Sequence, residues 1–72
     1  MKAYKKRMVK EYHDLCDKIN KLHKILIKDK AGTLDFEPDC PIYLLKQQYE
    51  AMCEYAQILE IRAEYEKIDL EY

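Results

Sequence analysis

A chain of 72 residues is one domain, near the size at which a single hydrophobic core is marginal. Its formal net charge of −1 argues against a DNA or RNA partner, because a nucleic-acid-binding chain rarely neutralises its own basic surface. Apolar blocks such as Ile25-Leu26-Ile27 fall far short of the roughly 18 residues that a membrane span needs. With 1 Gly and 2 Pro among abundant Ala, Leu, Ile, Lys, Glu, Met and Gln, the composition favours helix over sheet. The start is charged from Lys2 onward and has no apolar signal-peptide core, so a soluble cytoplasmic protein without a membrane partner is expected.

The first element is a helix over about 3–30. Met8, Tyr12, Leu15, Ile19, Leu22 and Leu26 recur at steps of 4, 3, 4, 3 and 4, an apolar seam held over nearly three heptads. Val9, Cys16 and His23 widen its apolar side, Ile25 and Ile27 add exposed area, and His13 is expected to point into solvent. Gly32 is placed to close this helix in the left-handed conformation. Leu34 and Phe36 in the following loop are expected to cover the closed end.

The second helix is expected over about 41–67, with Asp39 or Cys40 as its cap and Pro41 in its first turn, where a missing N–H costs nothing. Leu45, Tyr49, Met52, Ala56, Leu59 and Ala63 repeat the same rhythm. Folding the chain at the loop pairs Leu26 with Leu45, Leu22 with Tyr49, Ile19 with Met52, Leu15 with Ala56, Tyr12 with Leu59 and Met8 with Ala63. The residue numbers of every pair add to 71. One further layer sets Lys5 against Glu66 as a charge pair at the open end. The expected fold is therefore all-α: a long antiparallel, coiled-coil-like two-helix hairpin spanning 1–72 as one domain.

A hairpin cannot bury its own outer face. Leu44, Gln48, Ala51, Tyr55, Ile58, Arg62 and Tyr65 form a second stripe on helix 2, and so wide an apolar surface argues for a homo-oligomer. Leu44, Ala51, Tyr55, Ile58 and Tyr65 are its expected interface residues. Arg62 falls near Glu11 across the hairpin, either as a structural ion pair or as a guanidinium fork for phosphate or carboxylate. Tyr55 falls near Lys18 and can pack at an interface or stack on a base.

Charge is divided between the halves. Residues 1–30 hold ten Lys/Arg against four acids, or +6, whereas residues 31–72 hold three against ten, or −7. Two explanations stay open: a basic helix folding on an acidic one, or a basic end (Lys2, Lys5, Lys6, Arg7 and Lys10) that receives a small anion. Cys16, Cys40 and Cys53 have no C-x-x-C spacing and read as reduced thiols, Cys16 and Cys53 lying on one flank. His13 and His23 stand ten apart, so no metal is expected, and no cofactor motif is present. Serine is absent, the lone Thr33 lies in the loop, and no Gly-rich phosphate loop occurs. An enzyme is not expected.

Tyr4-Lys5-Lys6-Arg7-Met8-Val9-Lys10-Glu11-Tyr12, the run from Leu44 to Tyr55, and Leu59-Glu60-Ile61-Arg62-Ala63 resemble a family of very short helical proteins of crAss-like phages and gut-bacterial prophages. That family is similar to the helical hairpin of anti-CBASS and anti-Thoeris phage proteins, oligomeric sponges that hold a defence system's nucleotide messenger without cleaving it. This chain lacks the short additional N-terminal helix of the first type and the β-rich extension of the second. The resemblance implies action in an infected bacterial cell and a nucleotide-type ligand. Tyr4, Arg7, Tyr55 and Arg62 match positions of the family pattern, with Lys6, Lys10 and Gln48 as helpers. The alternative is a coiled-coil adaptor or inhibitor that binds a host protein directly.

Overall fold

The computed structural model describes residues 2–71; Met1 and Tyr72 of the expected 1–72 domain lie outside the described residues. Two helices run antiparallel: α1 over Ala3–Ala31 and α2 over Ile42–Glu66. At 1.5 Å per residue the 29 residues of α1 reach about 43 Å, close to the 45 Å long axis of the molecule. Gly32 closes α1 as expected, with φ 75° and its amide donating back to the Asp29 carbonyl. The cap of α2 differs from expectation. Pro41 itself is the extended N-cap residue, and neither Asp39 nor Cys40 provides a side-chain cap. Proline has no N–H to satisfy and its fixed φ suits the turn into a helix, so the boundary shifts by a residue at little cost.

The seam holds. Met8, Leu15, Leu22, Ala56, Leu59 and Ala63 are buried, and Tyr12, Ile19, Met52, Tyr49, Leu26 and Leu45 are half-buried between the helices. Lys5 reaches Glu66 as the register requires, but its Nζ donates to the backbone carbonyl at 3.4 Å rather than to the carboxylate. His23, on the rim, stacks against Tyr49 with ring centroids 5.7 Å apart.

A C-terminal tail adds what the heptads do not announce. Lys67 takes a left-handed conformation (φ 55°) and its amide and that of Ile68 both donate to the Ala63 carbonyl. The chain then turns back onto the open end. Ile68 is only 8% exposed within the main core cluster, and Leu70 packs against that cluster. Val9, which widens the apolar side of α1, is buried in the same cluster at 6% exposed. One expectation is corrected by this third layer. His13 is half-buried, its Nε2 lies 2.6 Å from the Leu70 carbonyl, and its ring meets Tyr12 edge-on. At the other end, Leu34 is half-buried but Phe36 stays 52% exposed, so it does not cover the loop end.

Candidate functional site

Heptad geometry brings several of the expected ligand residues together. On α1, Arg7, Glu11, Asp14 and Lys18 follow one another at steps of 4, 3 and 4, so they share a helix face. The register sets that face beside Tyr55 of α2. Arg7, Lys10, Glu11, Asp14, Leu15, Lys18 and Tyr55 accordingly line one open groove of about 380 Å³. Three cations stand there against two carboxylates, and each carboxylate already has a partner. The Tyr55 hydroxyl donates to Glu11. Lys10 donates to Asp14 at 2.8 Å, and this ammonium holds the Asp14 carboxyl below its ordinary range. Tyr55 leaves the Glu11 charge in place, so Arg7 and Lys18 together give the groove one net positive charge.

The other expected residues lie elsewhere. Arg62 does not meet Glu11: its Nε donates to Glu66 at 3.1 Å, one helical turn away. A neighbour at i+4 is held in reach by the helix itself, whereas a cross-hairpin partner must extend over the seam. Tyr4, Lys6 and Gln48 are exposed, Tyr4 and Lys6 on the first turns of α1 and Gln48 on α2, and none of them lines the Tyr55 groove. Glu11, Asp14 and Lys18 line it without having been candidates. The signal that finds them is the step pattern from Arg7 combined with the register that sets Tyr55 near Lys18.

A larger groove of about 690 Å³ lies at the open end, between Tyr12, His13 and the returning tail. Four carboxylates, those of Glu60, Glu64, Asp69 and Glu71, line it, which suits an anion poorly. Here Tyr12 donates to Glu60 at 2.8 Å. That bond, reinforced by desolvation and by Cys16, pushes the phenol above its ordinary titration range, since a phenolate could not donate. Tyr49 is pushed up in the same direction, chiefly by a hydrogen bond with Cys53. Cys16 and Cys53 are free and half-buried, and Cys40 is free and exposed.

The stripe expected at an interface is open in the single chain. Leu44, Ala51, Tyr55 and Ile58 are exposed, and Tyr65 is 86% exposed. Among the described residues no group of three or more His, Cys, Asp or Glu could hold a metal ion, and no helix is long and apolar enough to cross a membrane.

Fold and groove together define a two-helix, all-α module with a cationic, tyrosine-bearing groove on one face. The chain belongs to the Sequestin family, whose pattern it matches over residues 2–65, which takes in α1, the loop and all of α2 but its last residue. The family's name denotes a sequestering role. No curated protein and no solved structure matches the chain.

Proposed function

We propose that this protein is a phage-encoded, non-enzymatic sponge that binds and sequesters a nucleotide-derived immune second messenger of the cyclic oligonucleotide or ADP-ribose type. Holding the messenger keeps its effector silent and so inhibits bacterial anti-phage defence. The observation that carries this reading is the convergence of Arg7, Lys10 and Lys18 around Tyr55 in one groove. Guanidinium and ammonium groups suit phosphate oxygens, and an aromatic face suits a base. Membership of the Sequestin family supports the sequestering part of it.

The protein acts as a homo-oligomer through Leu44, Ala51, Tyr55, Ile58 and Tyr65, and Tyr4, Lys6, Gln48 and Arg62 contribute where copies meet. The work is done in the cytoplasm of the infected cell, by binding alone. Protein purified from cells making the messenger is expected to release a nucleotide on heating, visible by absorbance and mass. Arg7→Ala and Tyr55→Ala should each lower the amount released at least tenfold while helicity is retained.

The exposed apolar stripe favours one second reading, an adaptor or inhibitor that binds a host protein. Such a protein would release no nucleotide and would co-purify with a polypeptide through the same stripe.

A further inference from the structure

We infer that two copies of this chain pack antiparallel about a two-fold axis that passes beside Tyr55, forming a four-helix bundle whose α1 edges are locked by reciprocal Lys18–Asp14 and Lys21–Glu11 ion pairs. This rests on the self-association in the reading above and adds its geometry; it does not depend on which ligand is held.

The face comes first. From Leu44 to Arg62, each residue of the outer α2 stripe immediately precedes a residue of the hairpin seam, and Tyr65 precedes Glu66 of the next layer. One residue is about 100° of rotation at 3.6 residues per turn, near the right angle between neighbours in a four-helix bundle. On α1 the same offset from the seam selects Arg7, Glu11, Asp14, Lys18, Lys21 and Ile25. Because the helices run in opposite directions, equal offsets turn both second faces to the same side of the hairpin. The Tyr55 groove, lined by Arg7, Glu11, Asp14 and Lys18, reports that shared side directly.

The sequence then fixes a register. Opposed to itself antiparallel, the α2 stripe pairs Leu44 with Tyr65, Ala51 with Ile58 and Gln48 with Arg62, with Tyr55 meeting Tyr55 at the axis. These residue numbers add to 109 or 110. Within the hairpin each α2 residue lies level with the α1 residue whose number completes 71, so the same axis pairs α1 residues whose numbers add to about 32. Those pairs are Asp14 with Lys18, Glu11 with Lys21 and Arg7 with Ile25. The first two set opposite charges together, each is made twice by symmetry, and they add a second partner to carboxylates that hold Lys10 and Tyr55 in the single chain.

A parallel two-fold would instead lay this charged α1 edge over the partner's apolar stripe, desolvating four charges without partners. The antiparallel arrangement sets Leu44 on Tyr65 and Ala51 on Ile58, and gives both acids a base. Its area is also sufficient. The molecule measures 45 × 19 × 18 Å, so one broad face offers about the 800 Å² that each partner gives to a standard stable interface. Both Tyr55 grooves then face each other across the axis, so a ligand held there lies between the two copies and competes with Asp14 for Lys18.

Cross-linking tests the direction. In a chain whose Cys16, Cys40 and Cys53 are replaced by alanine, Tyr55→Cys is expected to join to itself with a short bis-maleimide. Leu44→Cys alone should not join to itself, but should join to Tyr65→Cys when the two chains are mixed. Self-joining of Leu44→Cys, or failure of Tyr55→Cys in a light-scattering dimer, would overturn the arrangement.

A second test keeps the native cysteines. Lys18→Asp and Asp14→Lys should each weaken the dimer about tenfold in Kd, and the double variant should recover wild-type affinity. Two additive losses without recovery would overturn the pairing. A monomer at all concentrations would overturn self-association itself, whereas a dimer of the stated geometry that releases no nucleotide would sink only the sponge.

Discussion

Around the open end of the hairpin, Met8, Val9, Leu15, Ala56, Leu59, Ala63 and Ile68 form one buried cluster. Toward the loop the same heptads continue, yet Leu22 is the one buried residue there among those described, and Ile19, Leu26, Leu45, Tyr49 and Met52 remain half-buried. The difference is the tail. Two helices can shield a seam only from two sides, and where Ile68 and Leu70 add a third side the seam closes. Off the seam, apolar groups stay exposed in both halves, Ile27, Tyr43 and Leu44 toward the loop and Ile58, Ile61 and Tyr65 toward the open end. Equal apolar patterns therefore give unequal burial along the seam.

The largest effect expected from this contrast is at Leu59, 1% exposed and the most enclosed side chain of the cluster. Leu59→Ala should cost about 3–4 kcal/mol in urea unfolding, against about 1–2 kcal/mol for Leu26→Ala in the loop half. Equal costs at the two sites would break the comparison. Next in size is the tail. Ile68→Ala is expected to cost about 2–3 kcal/mol, and amide exchange around Ala63 should then rise to the level found around Leu22. Unchanged exchange at the open end would mean that the tail follows the fold rather than closing it.

How much of this the sequence discloses follows the same division. The register was legible because both heptad runs are unbroken and the loop between them is short enough to fix their alignment. Gly32 was legible because a left-handed cap favours glycine. The tail was not, since Lys67 takes a left-handed conformation without being glycine. Ile68 and Leu70 are also too few and too close together to register as a periodic element. His13 was misplaced for that reason: the Leu70 carbonyl beside it lies outside the heptads. At the groove, the nearness of Tyr55 to Lys18 was legible from the register. The pairing of Arg62 was not, because a helix offers Glu66 at i+4 before any partner across the seam.

Smaller effects sharpen the contrast. Gly32→Ala should cost about 1 kcal/mol: a Cβ there meets nothing within 4 Å, so the loss is the strain of φ 75° alone.

Smallest is the Tyr12 hydrogen bond, at about 0.5–1 kcal/mol. Its hydroxyl titrates above the ordinary range in the folded chain, so its contribution is complete below about pH 10, the unfolded value, and is lost as pH rises further. Melting temperature should therefore fall more steeply above pH 10 for the native chain than for Tyr12→Phe; parallel curves would contradict the assignment.

The function is tested most directly by calorimetric titration of the intact protein with cyclic dinucleotides, cyclic trinucleotides and cyclic ADP-ribose isomers. The account predicts saturable binding of at least one of them, weakened by Arg7→Ala and Tyr55→Ala, with the ligand recovered chemically unchanged. A folded protein that gives no binding heat with any of them, or that returns a cleaved ligand, would contradict it.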